Sequence, residues 1–131
     1  MFLFGGHDPE SQRTTADLIV IDLELFIWWY ADVRGTSIVP RLSASMVAIK
    51  DQLFIFGGRS KWEDDSPGIG TYSIAEYSPQ TQWTWTISDI PIPPNIPPLG
   101  YGIQATPIDG RNILLTRGWV GDAEVCPVNP T

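Results

Sequence analysis

The sequence predicts an all-β chain built from repeated antiparallel sheets, and three observations predict it. Two near-identical apolar runs end in a glycine pair, Met1-Phe2-Leu3-Phe4-Gly5-Gly6 and Leu53-Phe54-Ile55-Phe56-Gly57-Gly58, with the pairs 52 residues apart. A period of that size marks a repeat array. A weaker third copy follows at Ile113-Leu114-Leu115-Thr116-Arg117-Gly118. No window carries the sustained apolar spacing of a helix. Twelve glycines and twelve prolines in 131 residues supply frequent turns.

Taken in order, the first apolar run reads as a strand buried on both faces, ended by glycines that tolerate positive φ and close backbone approach. Residues 7–16 are polar and read as a long loop. Asp17–Asp22 is a β-branched run and so a buried strand. Leu23–Leu25 makes a tight connection into the aromatic strand Phe26–Tyr30, where alternation predicts that one of Trp28 and Trp29 is buried. Residues 31–42 form a second long loop that ends at Pro40-Arg41. Ser43–Ile49, the turn Lys50–Gln52 and the strand Leu53–Phe56 follow, then a polar loop over 59–70. Thr71–Tyr77 and Trp83–Ile87 alternate as half-buried strands around the turn Ser78-Pro79-Gln80-Thr81. After the proline-rich stretch 89–100, Tyr101–Pro107 and Ile113–Thr116 pair around Asp109-Gly110, a strong hairpin signal. Residues 119–131 read as a polar, frayed tail.

Composition limits the function classes. Hydrophobic residues make up 43% and charged residues 18%, a globular balance. The net charge of −7, with eight scattered Lys and Arg, speaks against nucleic acid and against anionic membrane surfaces. One cysteine, Cys126, forms no intrachain disulfide. With no signal-peptide or membrane-spanning run in the chain as given, the expected location is cytoplasmic.

The connections alternate short and long. In an antiparallel meander alternate connections lie at opposite ends, so all four long loops are expected on one face, where binding residues concentrate. On that face Arg13, Arg34 and Arg59 are candidates for recognising an acidic partner together. Trp62-Glu63-Asp64-Asp65 offers an interface anchor for a basic partner, Trp being a frequent hot-spot residue. No metal site or cofactor is expected. His7 is the single histidine, with Asp8 and Glu10 at poor ligand spacing, and no serine or cysteine triad is visible, so no catalytic residues are assigned. Pro91–Pro98 reads as an ordered linker rather than a polyproline ligand, because a flanking basic residue is missing.

These residues resemble the kelch repeat family. Asp17–Asp22 followed by Trp28, and Ala75-Glu76-Tyr77-Ser78-Pro79 followed by Trp83 or Trp85, look like that family's strand, turn and Trp after the glycine pair, and Pro40-Arg41 fits its entry to the next repeat. The third repeat departs, with Arg117-Gly118 for the glycine pair and Pro98-Leu99-Gly100 for the Pro-Arg element. The resemblance implies four-stranded antiparallel kelch-like blades over 1–118, an incomplete propeller of about two blades, with 119–131 as a tail. It further implies a protein-interaction scaffold presenting its long loops to a protein partner. The alternatives are a fragment of a kelch-containing enzyme, like galactose oxidase in fold only, and a truncated non-functional product. Nine expected strands are too few to close a propeller, so a fragment of a longer protein is expected, with self-association through open blade edges as the other outcome.

Overall fold

The structure is a computed structural model and describes residues 1–35, 38–62, 68–69, 71–91, 100–116, 119–120 and 123–124. All regular structure among them is β, in eleven strands. Sheet 1 comprises β1 (Phe2–Asp8), β2 (Arg13–Asp22) and β3 (Ile27–Tyr30). Sheet 2 comprises β4 (Ser45–Ile49), β5 (Gln52–Phe56), β6 (Thr71–Ser78) and β7 (Gln82–Pro91). Sheet 3 pairs β8 (Gln104–Pro107) with β9 (Ile113–Thr116), and β10 (Trp119–Val120) pairs with β11 (Ala123–Glu124). Every ladder is antiparallel and joins neighbours in sequence. No helix among the described residues is long and apolar enough to cross a membrane.

The turns are closed by short polar side chains at strand ends. Asp22 Oδ1 accepts the backbone N–H groups of Glu24 and Leu25, and Asp109 Oδ1 accepts those of Arg111 and Asn112. Asp8 Oδ1 accepts the Glu10 N–H while its Oδ2 accepts the Ser11 hydroxyl. Such bonds to the charged form hold all three carboxyls below their ordinary range: Ser11 first at Asp8, Leu25 first at Asp22, Asn112 first at Asp109.

Alternation divides each sheet into two faces. Leu18, with Phe2, Phe4 and Ala16 against it, meets Leu53, Ile55, Ala75 and Trp85 of sheet 2. The opposite face of sheet 2 places Val47 and Phe56, with Phe54 and Tyr72, against Ile103, Ala105, Ile113 and Leu115. Sheet 2 therefore lies between the other two. Fully burying an aliphatic side chain of this size stabilises by roughly 1.5–3 kcal/mol, so the core sits in these two contacts.

Four expectations are corrected. Residues 7–16 are not a long loop: β1 continues through Gly5 as a bulge to Asp8, and only residues 9–12 turn. Thr14 and Thr15 are β-branched and pair across to His7 and Gly6, which outweighs their polarity. Phe26 belongs to the turn, at φ 54°, rather than to the strand. Trp28 and Trp29 are both exposed, because neither face of β3 is fully covered. The supposed tail holds the β10–β11 hairpin. Residues 92–99, most of the proline-rich stretch, and Cys126 lie outside the described residues.

Candidate functional site

The glycine pairs build the end of the molecule that carries the candidate site. At sheet 1, the Gly6 N–H donates to the Arg41 carbonyl at 3.0 Å, and the Arg41 N–H donates to the Thr15 carbonyl at 3.2 Å. A Cβ on Gly5 would stand 2.2 Å from that Arg41 oxygen. At sheet 2 the geometry repeats: the Gly58 N–H donates to the Gly100 carbonyl at 2.8 Å, and a Cβ on Gly57 would stand 2.2 Å from the Gly100 oxygen. Each pair is thus the seat for the chain segment entering the next sheet.

Arg41 is the residue that sequence reasoning undervalued. Its side chain is fully buried, with Nε donating to the Val39 carbonyl at 3.1 Å and Nη1 to the carbonyls of Gly57 at 3.1 Å and Thr71 at 3.3 Å. A buried guanidinium survives where carbonyls satisfy its donors. Its backbone holds sheet 1 and its side chain holds sheet 2. The Pro40-Arg41 dipeptide was the available signal, although nothing in it foretold burial.

Above this junction lies a cleft of about 480 Å³ lined by His7, Arg13, Thr14, Ser60, Lys61 and Trp62, with Gln12 and Pro40. Trp62 stacks on the His7 ring, centroids 6.0 Å apart and planes inclined by 22°. Beneath it the Arg59 guanidinium carbon lies 5.2 Å from the Trp62 ring centroid and 4.5 Å from that of Tyr101, both in cation–π range. His7 Nδ1 is buried and meets no hydrogen-bond partner among the described residues. Arg13 is placed by pairing with Asp8 across the β1–β2 hairpin. No carboxylate is among the described residues that line the cleft. In a chain of net charge −7 this is a local cationic site with an aromatic wall. It can accept an anionic group through charge-assisted hydrogen bonds from Arg13 and Lys61.

The structure brings together Arg13, Arg59 and Trp62 but not Arg34. Residues 31–35 run along the outer edge of sheet 2, where the Arg34 N–H donates to the Trp83 carbonyl and the Trp85 N–H to the Arg34 carbonyl. That holds Arg34 in a parallel bridge to Thr84, away from the loop end. It lines a separate cleft of about 610 Å³ at the opposite end, together with Asp32, Lys50 and Asp51. Arg59 is largely buried and supports Trp62 rather than presenting an open guanidinium. Glu63, Asp64 and Asp65 lie outside the described residues. No group of three or more His, Cys, Asp or Glu positioned to hold a metal ion occurs among the described residues.

No protein-family model matches the chain. A stretch of 64 residues is 38% identical to the N-(sulfonatooxy)prop-2-enimidothioate sulfolyase of Thlaspi arvense. The match takes in 47% of this chain and 18% of that protein, so the chain spans less than a fifth of its relative's length.

Proposed function

We propose that this chain contributes kelch-like propeller blades to a protein-interaction scaffold. In this reading an acidic segment of a protein partner seats in the cleft of His7, Arg13, Lys61 and Trp62. The observation that carries the reading is a cationic, aromatic-walled cleft on an acidic chain, held at the end where the glycine pairs seat successive sheets. Those repeated sheets support the kelch-like part, and a single cysteine, Cys126, fits a cytoplasmic setting. This reading takes an acidic partner because Trp62 stands with His7 and Arg59, and the carboxylates of the basic-partner expectation, Glu63, Asp64 and Asp65, lie outside the described residues. Calorimetric titration of a capped hexaglutamate peptide tests this. Binding at low salt is expected, weakened about fivefold by Arg13→Gln and by Lys61→Gln, each removing about 1 kcal/mol. Binding by both variants as tight as by the unaltered chain contradicts the reading.

The partial likeness to the sulfolyase favours a second reading, a piece of a kelch-containing enzyme whose anionic substrate enters the same cleft. Incubation with N-(sulfonatooxy)prop-2-enimidothioate separates the two. Loss of the sulfonatooxy group favours the enzyme, whereas an intact compound beside hexaglutamate binding favours the scaffold.

A further inference from the structure

The facing surfaces of sheets 1 and 2 close at one level and part at the next. Leu53 and Trp85 pack with Phe4 and Leu18 and are 1% and 8% exposed. Nearer the β4–β5 and β6–β7 turns, Trp29 of sheet 1 and Tyr77 of sheet 2 are 47% and 37% exposed. At this level lies the cleft of about 610 Å³ that Arg34 lines. Its floor is aromatic: Phe2 meets the Trp83 ring edge to face at 5.2 Å, and Tyr77 leans on the same ring at 5.4 Å. Register sets Phe2, Val20 and Trp29 in one row across sheet 1, so that wall is apolar. Residues 31–34 bridge the two sheets beside the cleft, with the Ala31 N–H on the Leu18 carbonyl and the Arg34 backbone on β7. At the mouth stand Asp32 and Arg34 from that bridge, Lys50 and Asp51 from the β4–β5 turn, and Gln82 at the start of β7, all exposed. The Tyr77 N–H holds the β4–β5 turn in place by donating to the Asp51 carbonyl at 2.8 Å.

We infer that this cleft binds a small aromatic zwitterion, of the chemical class of an aromatic amino acid. Its ring joins the Phe2–Trp83–Tyr77 cluster, where edge-to-face and offset contacts add to simple burial. Its carboxylate meets Arg34 and Lys50, and its ammonium meets Asp32 and Asp51, through charge-assisted hydrogen bonds. The mouth holds two cations and two carboxylates in a chain of net charge −7. A ligand of one sign therefore meets repulsion along with attraction, whereas one bearing both signs sets each against its opposite. The volume lies in the range of small-molecule sites, which are apolar within and carry a few polar groups that fix orientation. A sugar would set hydroxyls against Phe2, Val20 and Leu53, which offer them no hydrogen bonds. The site stands apart from the loop-end cleft and does not depend on the reading of it.

Calorimetric titration of the full chain with L-phenylalanine tests it, alongside tryptophan emission, since Trp29 and Trp83 line the cleft. Saturable binding with a dissociation constant of about 1 mM is expected for a ligand of this size. Phenethylamine lacks the carboxylate and 3-phenylpropionate the ammonium, so each should bind about fivefold more weakly. Arg34→Gln and Asp32→Asn, both at exposed positions, should weaken L-phenylalanine to a similar degree and leave the thermal melt unchanged. Ala48→Phe, which fills the cleft from an exposed strand position, should abolish binding. Arg13→Gln, at the loop-end cleft, should change nothing. Four results overturn the inference: no saturation well above the expected constant, equal binding by the singly charged analogues, binding undiminished in Arg34→Gln and Asp32→Asn, or maltose displacing L-phenylalanine.

Discussion

The two glycine pairs do one job in different surroundings. Gly57 ends β5 and hands the chain to the long loop that carries Arg59 and Trp62. Gly5, with φ 66° against 62° at Gly57, sits as a bulge inside a strand that runs on to Asp8 and a tight turn. Yet each stands against the carbonyl that enters the next sheet, with the same 2.2 Å approach for an added Cβ. The shared element is the seat between sheets, and ending a strand is incidental to it. Freed of that duty, the chain above the seat varies: a tight hairpin on one side and a long loop on the other wall the cleft.

Substitutions can break this equivalence. Gly57→Ala and Gly5→Ala should each destabilise by about 2–4 kcal/mol in chemical denaturation, since left-handed φ and a backbone clash combine at both sites. A cost at Gly57 without one at Gly5 would refute the shared role. Arg41→Met should cost about 2–3 kcal/mol, because the Gly57 and Thr71 carbonyls lose a buried donor. Gly6→Ala sharpens the comparison: a Cβ there meets nothing within 4 Å although φ is 119°, so about 1 kcal/mol is expected. Trp62→Ala should leave stability within about 0.5 kcal/mol, as an exposed side chain, while weakening hexaglutamate binding by about 2 kcal/mol.

The smallest effect is in acid. Hydrogen bonds to the ionised form hold the folded-state carboxyls of Asp8, Asp22 and Asp109 below their ordinary value of 3.8. Their turn-closing bonds are therefore fully present above that value and are lost as pH falls through the lower folded ones. Thermal melts should be flat near pH 5 and decline below about pH 4, and Asp109→Ala should reduce that decline.

Much of the architecture was legible because it is local or periodic. The repeated apolar runs placed β1 and β5, and Asp109-Gly110 placed the β8–β9 turn. Alternation also marked Trp83 and Trp85 as parts of the packing. The polar residues 13–16 misled because polarity suggested a loop where two threonines extend a ladder. The site was legible only in part: Arg13 and Trp62 were marked by residue type and loop position. The displacement of Arg34 arises from backbone bonds between residues 31–35 and β7. The burial of Arg41 depends on carbonyls 16 and 30 residues further on. Such pairings form only after the sheets stack, so no local pattern announces them.

The central claim is that the glycine-pair end presents a cationic cleft walled by His7 and Trp62. The most direct test follows the His7 imidazole and Trp62 indole signals by NMR during addition of capped hexaglutamate, with hexalysine as the control. The account predicts that both signals move together and saturate with hexaglutamate, stay fixed with hexalysine, and respond less in Arg13→Gln. Signals that ignore hexaglutamate, or follow hexalysine equally, would contradict it.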